Sequence, residues 1–204
     1  MNMEIIEVNA REYSSFFSTH NHVYNTMAFI QLNAYKCEKI HFLLFRNNKV
    51  RLGIILGEYE DRLESPFSAP FGGFDCASNI KIEYIECAVQ LLIEYAQKRS
   101  KHIRIVLPPD VYNMHLNAKI INAFMRQDEG SISVDLNYHY EVSRFSEYEN
   151  YLSRSARKNF HTALTHCFDF HVLDSQRDDD ISRVYEVIKA VSYTHLTLPT
   201  NVNV

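Results

Sequence analysis

The sequence predicts an α/β (α+β) fold in which a mixed sheet is flanked by helices. Three observations carry that expectation. Two neighbouring apolar runs, KIHFLLFR at residues 39–46 and VRLGIILGEY at residues 50–59, read as β-strands. Residues 79–99 place Ile85, Ala88, Val89, Leu92 and Ala96 on one stripe at helical spacing. The chain has 204 residues, 46% apolar and 23% charged, which suits one globular domain, or one domain with part of another.

The elements follow in chain order. Residues 3–8, MEIIEV, read as a short strand, and residues 10–18, AREYSSFFS, as a short helix. Residues 20–36 read as loop plus helix. Asn47 and Asn48 join the two apolar strands and suit a tight hairpin, because asparagine tolerates positive φ. The motif SPFSAPFGGF, residues 65–74, comes next. The helix of residues 79–99 ends in the basic run QKRSKH, which complements the helix dipole. IRIVLPP, residues 103–109, is a strand stopped by Pro108 and Pro109. A second long helix covers residues 114–127, with Leu116, Ile120 and Phe124 on one face and Gly130 as its stop. ISVDLNYHYEV, residues 132–142, holds the cleanest period-2 signal. Ile132, Val134, Leu136, Tyr138, Tyr140 and Val142 alternate with Ser133, Asp135, Asn137, His139 and Glu141, which predicts a strand with one buried face. The expected division is a sheet domain over residues 1–143 and the helical start of a second, truncated domain over residues 144–190.

Composition narrows the function classes. A net charge of −4 argues against a protein that coats nucleic acid generally, though not against a local basic face. The four cysteines, Cys37, Cys76, Cys87 and Cys167, make no C-x-x-C pair and read as reduced residues of a cytoplasmic protein. The first residues lack a signal-peptide pattern, and no apolar run of about 18 residues predicts a membrane span.

The chain's end differs from the rest. Asp178, Asp179 and Asp180 start a helix whose apolar residues are Ile181, Val184, Tyr185 and Ile188. That pattern stops after Ala190. VSYTHLTLPT, residues 191–200, reads as a translated sequencing adapter, so residues 191–204 are expected to be a non-native tail and the natural chain to continue past Ala190. The alternative is a natural β-strand tail.

A second distinctive segment is FSEYENYLSRSARKNFHTALTHC, residues 145–167. Ser146 and Glu149 match a capping box. Leu152, Ala156, Phe160, Ala163, Leu164 and Cys167 share one stripe, while Arg154, Arg157, Lys158 and His161 share another face. Such a face is either a solvated surface balanced by Asp178–Asp180 or an anion site, since guanidinium forks hold oxyanions.

Together, SPFSAPFGGF after a hairpin and LSRSARKNFHTAL at residues 152–164 resemble the FemAB-type branch of the GNAT superfamily. That branch consists of tandem acyltransferases similar to those adding amino acids to peptidoglycan precursors. The order of strands and helices over residues 3–142 also fits a GNAT-like domain. The resemblance implies N-acyl transfer to an amine, with an acyl-CoA or aminoacyl-tRNA donor, hence a tRNA partner in the second case, and a small or peptidoglycan-precursor-like acceptor. It implies that Ser65, Pro66, Phe67, Phe71, Gly72 and Gly73 line the acceptor cleft and that Arg157, Lys158 and Asn159 sit at the domain junction, and these three with Arg154 of the basic face are expected to bind substrate. The pyrophosphate loop of acetyl-CoA-binding relatives, Q/R-x-x-G-x-G/A, has no counterpart here, so the donor site is expected in the missing half and the fragment is expected to be inactive.

Other readings stay open. Pro66 and Pro70 stiffen the motif as a binding wall or as a loop plugged into the core. The polar face Asp135, Asn137, His139, Glu141 offers a general base or a solvated strand face. His20 and His22 lack an evident third metal ligand. A non-catalytic sugar- or peptide-binding relative and an RNA-contacting module using the basic helix are the alternative functions.

Overall fold

Residues 39–46 and 50–59 hold apolar side chains on both faces, and such a strand is stable only if both faces are covered. In a computed structural model describing residues 2–17, 20, 22–76, 80–127, 130–169 and 171–196, that condition is met. β2 (Lys39–Arg46) and β3 (Val50–Glu58) pair antiparallel through Phe42↔Ile55 and Leu43↔Ile54. β1 (Glu4–Val8) pairs β2, and β4 (Arg62–Ser65) and β5 (Phe74–Cys76) pair β3, all antiparallel. β6 (His102–Ile105) runs parallel to β4, giving a six-stranded mixed sheet ordered β1-β2-β3-β4-β6 with β5 beside β3.

Each face has its own core. Leu43, Phe45, Leu52, Ile54, Leu56 and Leu63 pack with α3 (Ile82–Gln97) and α4 (Asp110–Met125). The predicted stripe Ile85, Ala88, Val89, Leu92, Ala96 is buried there. Phe42, Leu44 and Ile55 on the other face meet Tyr13 of α1 (Ala10–Phe16), Phe17, and Ile30 of α2 (Met27–Asn33). The sheet is therefore a covered middle layer.

The chain forms two compact units, residues 1–139 and 140–204. The second holds a 3-10 turn (Val142–Glu147), α5 (Tyr148–Tyr151), α6 (Arg154–Leu164) and α7 (Asp178–Leu196). None of its residues described for burial is buried. Among the described residues no helix is long and apolar enough to cross a membrane.

Four expectations need correction. Residues 132–142 form no strand and are exposed throughout, Leu136 to 85%. Alternation decides which side chains share a face, but a strand also needs a neighbour for its amides and carbonyls, and none pairs with this segment. The hairpin loop comprises Asn47, Asn48 and Lys49 without positive φ, and a bulge at Phe45/Arg46 absorbs the extra residue. Ser146 and Glu149 form no capping box, because Ser146 lies inside the 3-10 turn. Ser153 instead caps α6, its Oγ accepting from Ala156 N at 3.3 Å. α7 continues past Ala190 to Leu196. The expected start of α3 at Asn79 and the tail residues 197–204 lie outside the described residues.

A polar chain ties four elements of the first unit. His41 of β2 is buried, with Nε2 2.7 Å from Glu58 Oε2 and Nδ1 2.8 Å from the Tyr95 hydroxyl, which donates to Glu7 Oε2 at 2.8 Å. The His41 hydrogen bond, then Lys101, hold the Glu58 carboxyl below its usual range against the opposing effect of burial. A depressed carboxylate pKa adds stability above the unfolded-state value, and that stability is lost as pH falls through the folded value. Glu58→Gln is therefore expected to cost about 1 kcal/mol near neutrality and to converge on the parent as pH falls below the folded-state value of the carboxyl, measured by urea denaturation.

Candidate functional site

The SPFSAPFGGF segment leaves the sheet at the carboxyl end of β4, next to the carboxyl end of β6, its parallel neighbour. In open sheets with parallel strands, ligands bind beyond those ends. Ser65 is the fastening point. Its carbonyl accepts from Val106 N at 2.8 Å, its Oγ accepts from Gly73 N at 3.0 Å, and Gly72 N donates to the Val106 carbonyl at 2.8 Å. The Ser65–Pro66 peptide is cis.

Both glycines of the motif are required by geometry. A Cβ at Gly72 would lie 2.9 Å from Ser65 Oγ and 3.0 Å from Pro66 N. Gly73 has φ +94°, which L side chains rarely adopt. The three phenylalanines divide their roles. Phe67 is buried with the α1/α2 core and Phe74 with the α3/α4 core, so the loop is plugged into both faces of the sheet. Phe71 is half-buried and joins an aromatic group with His22, Tyr24 and Tyr112, at ring separations of 5.1, 5.0 and 5.2 Å. The segment is thus a core plug at Phe67 and Phe74 and an aromatic surface at Phe71.

Directly after the motif, Asp75 stands buried on β5. Its Oδ2 accepts from the Tyr13 hydroxyl at 2.8 Å, and its Oδ1 lies 3.2 Å from both His20 Nδ1 and Asn25 Nδ2. The side chains of His20 and Asp75 are each only 8% exposed. Burial, then the Asp75 charge, raise the Tyr13 hydroxyl well above its usual pKa, so it stays a donor. His22 lies beside the network with no partner for its buried Nδ1. Burial lowers the His22 pKa, with the Asp75 charge and the Gly72 backbone working against that shift. His22, Gly72, Asp75, Pro108 and Asn113 line one small pocket.

Sequence reasoning considered His20 and His22 only as metal ligands and missed Asp75, Tyr13 and Asn25. Among the described residues no group of His, Cys, Asp and Glu is arranged to hold a metal. The signal for Asp75 was a carboxylate between Phe74 and Cys76, where an apolar strand demands that a charge have donors. Burial and the Asp75 charge push the thiol of neighbouring Cys76 up to about 11, which disfavours its thiolate form.

The other predicted site residues lie on α6 of the second unit. Arg154, Arg157, Lys158 and Asn159 are exposed. Arg157 donates through Nε and Nη2 to the Glu149 carbonyl at 3.2 and 2.8 Å, and His161 Nε2 lies 3.2 Å from Glu149 Oε2. Half of the cationic face therefore fastens α6 to α5. Arg154 and Lys158 make no ion pair among the described residues, with the Asp178–Asp180 run or otherwise. Asp135, Asn137, His139 and Glu141 are all exposed, as a solvated face would be.

Comparison of the chain with protein-family models, with curated proteins and with solved structures gives no match.

Proposed function

We propose that this chain is the acceptor-binding part of an N-acyltransferase of the FemAB-like, GNAT-related kind. The observation that carries this reading is the built wall of residues 65–73 at the carboxyl ends of β4 and β6, with the buried Asp75–His20 pair beside it. Acyl transfer to an amine needs a cleft that orients the amine and a group that takes its proton. The wall, held by Ser65, Gly72 and Gly73, supplies the first, and the imidazoles beside Asp75 supply the second.

In this reading residues 144–190 begin a second domain. The absence of a buried residue among those described for burial there supports it, because an independent domain buries a core. The donor, an acyl-CoA or an aminoacyl-tRNA, is bound mainly by the part beyond this chain, with Arg154 and Lys158 contributing charge towards its phosphates. The acceptor is a small or peptidoglycan-precursor-like amine.

The test is acyl transfer by the protein expressed from the intact locus, with acyl-CoA and aminoacyl-tRNA donors against a panel of amines. Turnover is expected there and absent from residues 1–204. Phe71→Ala is expected to raise the acceptor KM about tenfold while changing kcat less, because it removes aromatic contact area remote from the reacting atoms. Absence of transfer with every donor and amine overturns the proposal.

A further inference from the structure

The pocket shared by His22 and Asp75 has a one-sided chemistry. Asp75 brings a carboxylate, which accepts from Tyr13 and Asn25 and lies 3.2 Å from His20 Nδ1. His22 brings a ring nitrogen with no partner, and a buried polar atom left unpaired is costly unless a ligand or water completes it. Of the buried polar side-chain atoms only Nδ1 of His22 lacks a partner among the described residues, and in the tautomer that carries its proton on Nε2 this nitrogen is a bare acceptor. The remaining polar side chains are engaged elsewhere. Asn117 donates to the Pro108 carbonyl and to Asp110 Oδ1, and Asn113 Oδ1 accepts from Leu116 N. Phe71 and Tyr112 stand edge-on to the His22 ring, at 5.1 and 6.1 Å, and set its orientation.

A pocket that offers a carboxylate and an unpaired ring nitrogen among the apolar side chains of Phe74, Leu107, Leu116 and Ile120 disfavours anions and suits a cation that brings N–H donors. The free space is about that of one water molecule, the size of an –NH3+ head and too small for a quaternary ammonium. We infer that this pocket is a primary-ammonium site, with Asp75 holding the charge and His22 Nδ1 accepting one N–H. The inference rests on the acceptor-cleft reading above and deepens it, identifying the group of the acceptor that enters. When the amine reacts, the N–H aimed at Nδ1 passes its proton to the imidazole lone pair. This leaves a neutral amine with a free electron pair and an imidazolium beside Asp75.

The test needs no acyl donor. Methylammonium chloride is titrated into the 204-residue chain while the His22 ring nitrogens are followed by NMR, with tetramethylammonium chloride at matched ionic strength as control. A saturable shift of Nδ1 with methylammonium alone is expected. His22→Phe, which keeps the ring packing, is expected to weaken binding, followed through other pocket resonances, about tenfold, the loss of one hydrogen bond to a charged group. It is also expected to leave the thermal midpoint unchanged or raised, since it removes an unpaired buried atom. Identical responses to the two salts, or full affinity in His22→Phe, overturn the site and assign the space to a water. Transfer activity of the full-length protein alongside such a result would retire this pocket while leaving the acyltransferase reading standing.

Discussion

Asp75→Ala is expected to destabilise the first unit by about 3–5 kcal/mol, a large share of the stability of an ordinary domain. The carboxylate is the sole described acceptor for the Tyr13 hydroxyl, and Tyr13 is fully buried. Its loss also strands the Asn25 amide, which is buried, and the His20 ring. Each orphaned donor carries its own desolvation cost. The mechanism is separable by a double-mutant cycle. Tyr13→Phe removes one of the stranded groups, so Asp75→Ala combined with Tyr13→Phe should cost less than the sum of the single changes. Urea denaturation of the four proteins measures it. A loss below about 1 kcal/mol for Asp75→Ala, or strict additivity, would show that the network does not bear on stability.

Gly57→Ala is the second large effect, expected at about 2–3 kcal/mol. A Cβ on Gly57 would stand 2.3 Å from the Cβ of Phe67 and 2.7 Å from its Cγ. These atoms sit at the root of the side chain, so no rotamer change relieves the clash and the backbone of the loop must lift. Phe67 anchors the motif in the α1/α2 core, and its carbonyl accepts from the Tyr59 hydroxyl at 2.8 Å. The same substitution should therefore broaden or shift the amide resonances of residues 65–73 as well as lower the denaturation midpoint. A stable variant with an unmoved loop would contradict this.

The scaffold was legible wherever burial imposes a pattern. β2 and β3 are covered on both faces, so their sequences are apolar runs, and α3 is covered on one face, so it carries a stripe. The Gly72–Gly73 pair also signalled a tight backbone, and both positions need glycine. The polar site was not legible, because its members come from separate elements. Tyr13 and Asp75 stand 62 positions apart, and only folding brings them within 2.8 Å. Period-2 alternation misled at residues 132–142 because a face pattern says nothing about whether a neighbouring strand exists. The capping box misled because Ser153, seven residues beyond Ser146, offers the helix a competing start after the break at Leu152.

The fastening of the motif bears on how its exposed surface can change over generations. Both ends are stitched to Val106, Phe67 is seated in the core, and Ser68 is held by Lys36 Nζ at 2.8 Å and to Asn33 Oδ1 at 2.9 Å. Ala69 and Pro70 lie between these ties and Phe71, and no described side-chain bond involves them. Lengthening or recoding the chain at those two residues would move the Phe71 ring relative to His22, Tyr24 and Tyr112 and leave every clamp in place. The loop thus behaves as an interchangeable head on a fixed mount, and variation in the surface it presents can accumulate there at little cost to folding.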